Sequence, residues 1–219
     1  MLNFFLLAPQ EKKRGMGQKE SSEFGPMGFD PSIYKKVVLV RGVSGSGRRW
    51  LCEQLRDRLR DLPRDNGCEC HDLNQLIRDN FNPQLSGKEN TKKLEQKFKE
   101  MPSKTVILIS DKLIQSRTAV AKFFIELDMW SLEKAFRRRH IMNINRIQSH
   151  ANKLKDAIRT GPLTDIDKAF DRAGFDHQPT MHFTDYVLAY HRDKTQSEKN
   201  GYTVLPCQAI RHEIEKICG

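Results

Sequence analysis

The sequence offers no segment that could cross a membrane. Its apolar start, Met1–Leu7, is shorter than the roughly 20 apolar residues that a transmembrane helix needs. The same segment lacks the basic residues that open a secretory signal peptide, which argues against export. We therefore expect no membrane partner and an intracellular protein, cytoplasmic or nuclear, with a mitochondrial location left open.

Cysteine is scarce and odd in number, with five residues in 219. This count does not fit the paired cysteines of a disulfide framework, so we predict reduced thiols in a reducing compartment. Three residues of metal-ligand type, Cys68, Cys70 and His71, lie close together. No second ligand pair follows at the spacing of a zinc site, so we predict a strand with small buried thiols there and no metal site.

Hydrophobic residues are also few, at 37% of the chain, which is low for a globular protein. Part of the shortfall falls in residues 10–31, which are rich in Lys, Gly, Ser and Glu, so we predict a disordered leader over residues 1–32. Residues 33–219 are enough for one α/β domain with a substantial core. The polar, irregular stretch 161–182 predicts an insertion over residues 159–183.

Charge is unbalanced towards the positive. The formal net charge is +10, from 38 Lys and Arg against 28 Asp and Glu. Such an excess attracts polyanions, so nucleotides and single-stranded nucleic acid are the candidate partners. The sequence names no protein partner. Among the basic clusters, the triplet Arg137, Arg138 and Arg139 has the best claim to a ligand, since the other lysines fit solvated helix faces.

One motif stands out, a glycine-rich loop between a strand-like run and a helical pattern. Residues 36–51 read KVVLVRGVSGSGRRWL, the layout of a Walker A phosphate loop, G-x-x-x-x-G-K-[S/T]. In such a loop the glycines let backbone N–H groups face a phosphate at the N-terminus of the next helix. The motif predicts a nucleotide-binding fold whose ligand is ATP or another nucleoside triphosphate. The candidate binding residues are Gly42, Ser44, Gly45, Ser46, Gly47, Arg48 and Arg49.

Two positions of the motif are changed. Arg48 replaces the lysine, which keeps the charge but adds a planar and bulkier group. Arg49 replaces the Ser or Thr whose hydroxyl holds Mg²⁺, and it has no lone pair to offer a metal. Two outcomes are open for Arg49: it replaces the metal electrostatically, or it points to solvent. Mg²⁺ binding is therefore in doubt, and catalysis is expected to be weak or lost, as in a pseudoenzyme.

The rest of the chain alternates between apolar runs and helical patterns. Strands are predicted at Val37–Val40, Glu69–His71, Thr105–Ile109, Phe123–Ile125 and Tyr186–Ala189. Helices are predicted over residues 51–62, 89–101, 130–139, 144–158 and 207–218. Continuous apolar strands that alternate with helices predict a parallel sheet covered on both faces, a three-layer α/β fold.

A second stretch adds a resemblance. Glu126-Leu-Asp-Met-Trp130 follows a predicted strand, and Arg137, His140 and Ile147 follow at set steps. Together with the glycine loop and Asp72, this order resembles the P-loop kinase fold. More narrowly, it resembles the polynucleotide 5′-kinase-like branch, including the P-loop domain of proteins first described as binders of the Nedd-four ubiquitin ligase. The resemblance covers roughly residues 36–155.

The resemblance implies roles for several residues. Asp72 matches the general base that accepts the proton of the attacking hydroxyl, although a helix N-cap explains it equally well. Arg137 matches the lid arginine that steadies the transferred phosphoryl group, and its two arginine neighbours could substitute. Asp111 matches a metal-side carboxylate or a strand-end cap. Trp130 is expected to lie in the core, with stacking on a ligand as the alternative.

The chain also departs from the family pattern. Asp72 lacks the usual second Asp after it, and only Ser110-Asp111-Lys112 remains of a longer motif after the third strand. Three functions follow. The first is a nucleotide- or phosphate-binding, kinase-like protein with weak or lost catalysis. The second is an active ATP-dependent phosphotransferase acting on a nucleic-acid 5′-hydroxyl or a small hydroxyl substrate. The third is a basic interaction module for RNA or an acidic partner.

Overall fold

Five parallel strands form the centre of the molecule. The computed structural model describes residues 30–60, 67–82, 84–144, 159, 161–162 and 182–219. The strands are β1 (Lys36–Arg41), β2 (Cys68–Asp72), β3 (Thr105–Ser110), β4 (Ala121–Ile125) and β5 (Thr203–Leu205). Their order across the sheet is β2-β3-β1-β4-β5, and every neighbouring pair is parallel.

Six α-helices of the described residues cover the sheet. They are α1 (Arg48–Arg60), α2 (Leu73–Asn80), α3 (Gly87–Glu100), α4 (Met129–Ile144), α5 (Phe183–Lys199) and α6 (Cys207–Cys218). One apolar layer packs α1 and α6 against the sheet, and the other packs α2, α3, α4 and α5 against the opposite face. The predicted three-layer α/β fold of P-loop NTPase type, with its parallel sheet, is therefore confirmed.

The strands at the centre form for the reason that their sequence suggests. All six residues of β3 are buried, and so are the last five of β1, because both strands have helices on each face. The register pairs Arg41 with Ser110 and Asp72 with Ile109, so β1, β2 and β3 end at the same edge. In open α/β sheets, ligands bind beyond this carboxyl edge. The glycine loop leaves β1 there.

One predicted element is wrong. Tyr186–Ala189 is not a strand but the second turn of α5. Its buried residues Tyr186 and Tyr190 lie four apart, with Phe183 and Val187 packed beside them, which is the spacing of a helix face. The fifth strand, β5, is instead the three-residue stretch after this helix.

Other predictions fall at the margin of the described residues. The leader predicted over residues 1–32 lies outside them except for residues 30–32, where Pro31–Ile33 forms a 3₁₀ turn capped by the Asp30 side chain. The helix predicted over residues 144–158 lies outside them apart from Ile144, which ends α4. Most of the insertion predicted over 159–183 also lies outside. In the part of the chain that the structure describes, no helix combines the length and apolarity needed to cross a membrane.

Candidate phosphate-binding site

The glycine loop runs from Gly42 at the end of β1 to the start of α1. Gly45 and Gly47 have φ angles of 86° and 91°, a region in which residues with a side chain are strained. A Cβ atom on Gly45 would also overlap the carbonyl oxygen of Ala135. The glycines at these positions therefore allow the turn, and Gly45 also allows the backbone of α4 to lie directly on the loop.

Two carbonyl groups of the loop are hydrogen-bonded, whereas two of its amide groups form no such bond to the described residues. The Tyr186 hydroxyl donates to the Ser44 carbonyl at 2.7 Å, and the Cys207 thiol donates to the Ser46 carbonyl at 3.9 Å. No hydrogen bond between described residues uses the backbone N–H of Gly45 or Gly47. The carbonyls are thus bound by α5 and α6, whereas these amides remain available at a helix N-terminus, where an anion is favoured.

A buried hydroxyl adds to this arrangement. Ser46 is 4% exposed, and its Oγ is buried without a hydrogen-bond partner among the described residues. It lies 2.5 Å from the place where a Cβ on Gly42 would sit, so it points across the loop. A buried, unbonded hydroxyl costs about 1–3 kcal/mol. A ligand with acceptor oxygens would remove that cost.

Arg48 lies across the loop and ends at Asp111. Its Nη2 is 3.4 Å from Asp111 Oδ2, and its side chain is 15% exposed. Asn74 donates its Nδ2 to the other carboxylate oxygen of Asp111 at 3.0 Å. Both oxygens of Asp111 thus accept from nitrogen donors, a guanidinium and an amide. The carboxylate that the resemblance placed at a metal is engaged by a positive side chain.

Arg49 points away from the site. Its side chain is 90% exposed and pairs with Glu53 one turn later at 3.2 Å. Of the two outcomes left open by the sequence, the structure thus gives the solvent-facing one. With no hydroxyl at this position and Arg48 on Asp111, the donor set does not fit Mg²⁺, which prefers oxygen ligands in octahedral geometry. Among the described residues, no group of three or more His, Cys, Asp and Glu side chains converges.

The arginines of the triplet make different contacts. Arg137 pairs with Glu133, with Nη2 at 2.6 Å from Oε1, and its Nη1 donates to the Gly161 carbonyl. Arg139 instead lies over the ring of Tyr186, with 6.0 Å between its Cζ and the ring centroid. Arg139, which could substitute for Arg137, is therefore beside a residue that holds the loop.

The positive charge of the arginines affects the pKa of the Tyr186 hydroxyl. Burial raises the pKa of its hydroxyl to about 12, against the opposing effect of Arg139, Arg138 and Arg48, which favour the phenolate. Three arginines thus act on the hydroxyl that holds the loop. Cys207 is in a similar place: burial raises its pKa to about 11, opposed by Arg138. The loop therefore lies in a positive field built from α1 and α4.

Asp72 caps α2. Its Oδ1 accepts from the backbone N–H groups of Asn74 and Gln75 at 2.9 and 3.2 Å. This is the N-cap alternative of the sequence analysis, and it fixes the carboxylate at the edge where β2 ends. A role as general base stays a prediction that rests on the resemblance.

The two tryptophans are both on the surface. Trp130 was expected in the core, but it is 65% exposed at the start of α4, so that prediction is wrong. The Lys134 ammonium lies 3.0 Å from its ring centroid and covers one face. Trp50 is 46% exposed in the first turn of α1. Because α4 and α1 both begin beyond the carboxyl edge, both rings are exposed on the ligand side of the sheet.

Sequence reasoning missed three residues of this site. Tyr186 was placed on a strand, and its hydroxyl contact with Ser44 spans 142 residues. Asn74, two residues after Asp72, was not singled out, and its side-chain amide donates to Asp111. Arg41, whose Nε donates to the Asp111 carbonyl at 3.3 Å, was not singled out. A charge at the end of an apolar strand, directly before the first glycine, was a visible signal.

Comparison with known proteins adds no family. No protein-family model matches the chain. No curated protein matches it either. The resemblance to P-loop kinases therefore remains a prediction from the quoted residues.

Proposed function

We propose that the chain binds a phosphate-bearing ligand, a nucleoside triphosphate foremost, at its glycine loop without a bound metal ion. The proposal depends on a difference between the carbonyl groups and the amide groups of the loop. The carbonyls of Ser44 and Ser46 accept hydrogen bonds from α5 and α6. The amides of Gly45 and Gly47 have no partner among the described residues. Amides at a helix N-terminus favour an anion. The buried Ser46 hydroxyl adds one more donor.

Phosphoryl transfer is expected to be weak or absent. Transfer needs charge neutralisation at the γ-phosphate, which Mg²⁺ and a mobile lysine provide in P-loop enzymes. Here Arg48 is engaged by Asp111, Arg49 faces solvent, and Arg137 is engaged by Glu133. The proposal is thus a kinase-like binding protein, and the active phosphotransferase becomes the less favoured alternative.

Titration calorimetry with ATP in EDTA, repeated with Mg²⁺, tests the proposal. We expect binding in EDTA that Mg²⁺ improves little, because the donor set lacks a metal ligand. Inorganic triphosphate and adenosine separate phosphate recognition from base recognition. Affinity that appears only with Mg²⁺ contradicts the metal-free site, and no binding in either condition leaves the loop as a structural turn.

A second candidate is single-stranded nucleic acid. The observation that favours it is the exposure of Trp50 and Trp130 on the same side as the loop, with the exposed Arg49 and Arg138 nearby in the sequence. Bases stack on such rings, and each stack contributes about 1–3 kcal/mol. Quenching of tryptophan fluorescence by an oligonucleotide measures it. We expect Trp130→Ala to weaken binding, with Leu188→Ala, an exposed apolar residue of α5, as the matched control.

A further inference from the structure

Four of the five cysteines lie in two neighbouring pairs beneath α1 and α6. Cys68 and Cys70 are two residues apart on β2, so their side chains lie on the same face of the strand. Cys218 of α6 meets Cys68, and Cys52 of α1 meets Cys70. All four belong to the apolar layer between the sheet and these two helices.

The two pairs differ in their bonding. Cys68 and Cys218 form a disulfide that joins positions 150 residues apart. The sequence predicted reduced thiols, and that prediction is wrong for this pair. The count of cysteines does not tell which of them lie close together in the fold. Cys52, Cys70 and Cys207 are free. The Sγ atoms of Cys52 and Cys70 are 3.4 Å apart.

We propose that Cys52 and Cys70 are an oxidisable pair, a modification site that a hydroperoxide converts into a second disulfide joining α1 to β2. This site is independent of the phosphate loop, and it uses thiols that the proposed function leaves idle. Its basis is the juxtaposition of two buried sulfur atoms on elements that are already docked.

The geometry requires little movement. A disulfide bond is about 2.05 Å long, so the two sulfur atoms must approach by about 1.4 Å. The helix and the strand are already held together at this point, since Arg56 of α1 donates its Nε to the Cys70 carbonyl at 2.8 Å. This contact keeps α1 against β2 while the two sulfur atoms approach.

The two thiols are not equivalent. The Cys70 thiol donates to Cys52 Sγ, and this bond lowers the pKa of Cys52 and raises that of Cys70. The sulfur with the lower pKa is the better source of thiolate, which is the nucleophile. Cys52 is thus the attacking residue, and Cys70 is the resolving residue.

The chemistry balances with hydrogen peroxide as oxidant. The Cys52 thiolate attacks one peroxide oxygen, the O–O bond breaks, and Cys52 becomes a sulfenic acid while hydroxide takes up a proton to leave as water. The Cys70 sulfur then attacks the sulfenic sulfur, the S–O bond breaks, and a second water leaves. Two thiols lose two electrons and two protons in total, and one peroxide becomes two waters.

The burial of both thiols limits the size of the oxidant that can reach them. Cys52 is 2% exposed and Cys70 is 3% exposed. A molecule of the size of water can reach such sites by small openings, whereas a tripeptide disulfide such as oxidised glutathione needs the helix to leave the strand. Hydrogen peroxide should therefore oxidise the pair in the folded protein, and oxidised glutathione should do so only when the protein is unfolded.

The matched control is Cys207. This third free thiol is half-buried, donates to a carbonyl, and has its pKa raised to about 11 by burial, so it has little thiolate at neutral pH. It has no cysteine partner among the disulfide and thiol contacts of the chain's five cysteines. Peroxide should leave it as a thiol while the pair reacts.

Peptide mapping without reduction tests the proposal on the full chain. After mild peroxide treatment, we expect alkylatable thiols to fall from three to one, a cross-linked peptide containing Cys52 and Cys70, and Cys207 alkylated. Oxidation at Cys207 without that cross-link, or no loss of thiols below the concentration that oxidises methionine, overturns the proposal.

Two variants define the order of attack. In Cys70→Ser, Cys52 has no resolving partner and should be captured as a sulfenic acid by dimedone; in Cys52→Ser, Cys70 should give no dimedone adduct. Equal labelling of both variants overturns the assignment of Cys52 as the attacking residue. Circular dichroism checks that each variant folds. If one variant fails to fold, peptide mapping of the unmodified protein still tests the proposal.

Discussion

Arg41 and Asp193 form a largely buried ion pair that joins the end of β1 to α5. The Nη2–Oδ1 distance is 3.1 Å, and the two side chains are 7% and 28% exposed. The same guanidinium donates to Ser197 Oγ at 2.9 Å and to the Asp111 carbonyl at 3.3 Å. One side chain thus fixes the strand before the glycine loop, the helix that carries Tyr186, and the residue that engages Arg48.

Replacing Arg41 by Met should be costly. The change leaves Asp193 and Ser197 without their donor, and removal of one partner of a buried pair costs about 3–5 kcal/mol. Because Asp193 is partly exposed, we expect the lower end of that range. Urea unfolding measures it. The control is Arg60→Ala, which removes an exposed pair with Asp57 and should cost at most about 1 kcal/mol. Equal losses in the two variants would refute the role of Arg41.

Restoring the Walker residues should restore metal dependence. In Arg48→Lys with Arg49→Ser, Asp111 loses its guanidinium and a hydroxyl returns to the metal position. We expect Mg²⁺ to tighten ATP binding by at least about tenfold, or about 1.4 kcal/mol, by calorimetry. Arg49→Ser alone is the control, since it leaves Arg48 on Asp111. A double variant that binds Mg²⁺–ATP no better than the parent would place the obstruction elsewhere in the pocket.

Gly45→Ala should destabilise the fold more than Gly201→Ala. Both glycines have positive φ, 86° and 77°, so each alanine is strained by about 1–2 kcal/mol. Only at Gly45 does the new Cβ also meet the Ala135 carbonyl, whereas at Gly201 nothing lies within 4 Å. We expect a further loss of about 1–3 kcal/mol at Gly45, measured by urea unfolding. Equal losses would mean that α4 can move away from the loop at no cost.

Two arginines of α4 should matter for nucleic acid, and the third should not. Arg138 and Arg139 act on the residues that hold the loop, whereas Arg137 is bound by Glu133. Removing one ionic interaction with a phosphate should flatten the slope of log affinity against log salt by about 0.7 for a single strand. We expect this flattening in Arg138→Ala and Arg139→Ala and none in Arg137→Ala. If all three variants keep the parental slope, the proposal of nucleic-acid binding fails.

The central strands and the loop could be predicted from local sequence. Val37–Val40 and Thr105–Ile109 are unbroken β-branched and aliphatic runs, and such runs belong to strands buried on both faces. The glycine spacing of residues 42–47 predicted the loop because the turn needs backbone angles that glycine adopts without strain. In each case the signal and the structure lie within about ten residues of chain.

The predictions that failed depend on distant parts of the chain. Tyr186–Ala189 is a short apolar run, and a window of four residues does not separate a strand from a buried helix. Trp130 was expected in the core, but only the packing of α4 decides which side of the helix is covered. The partners of Arg48 and Cys68 are 63 and 150 residues away, so no local pattern names them.

The contact between Gly45 and the backbone of Ala135 bears on kinetics. Kinase lids swing over their substrate after it binds, and this closure appears as a second, concentration-independent phase in stopped-flow traces. Here the backbone of α4 already lies against the loop, since a Cβ atom on Gly45 would overlap the Ala135 carbonyl oxygen. Under the proposed function, an anion therefore binds without a later closure of α4, and we expect a single phase whose rate rises linearly with ligand concentration.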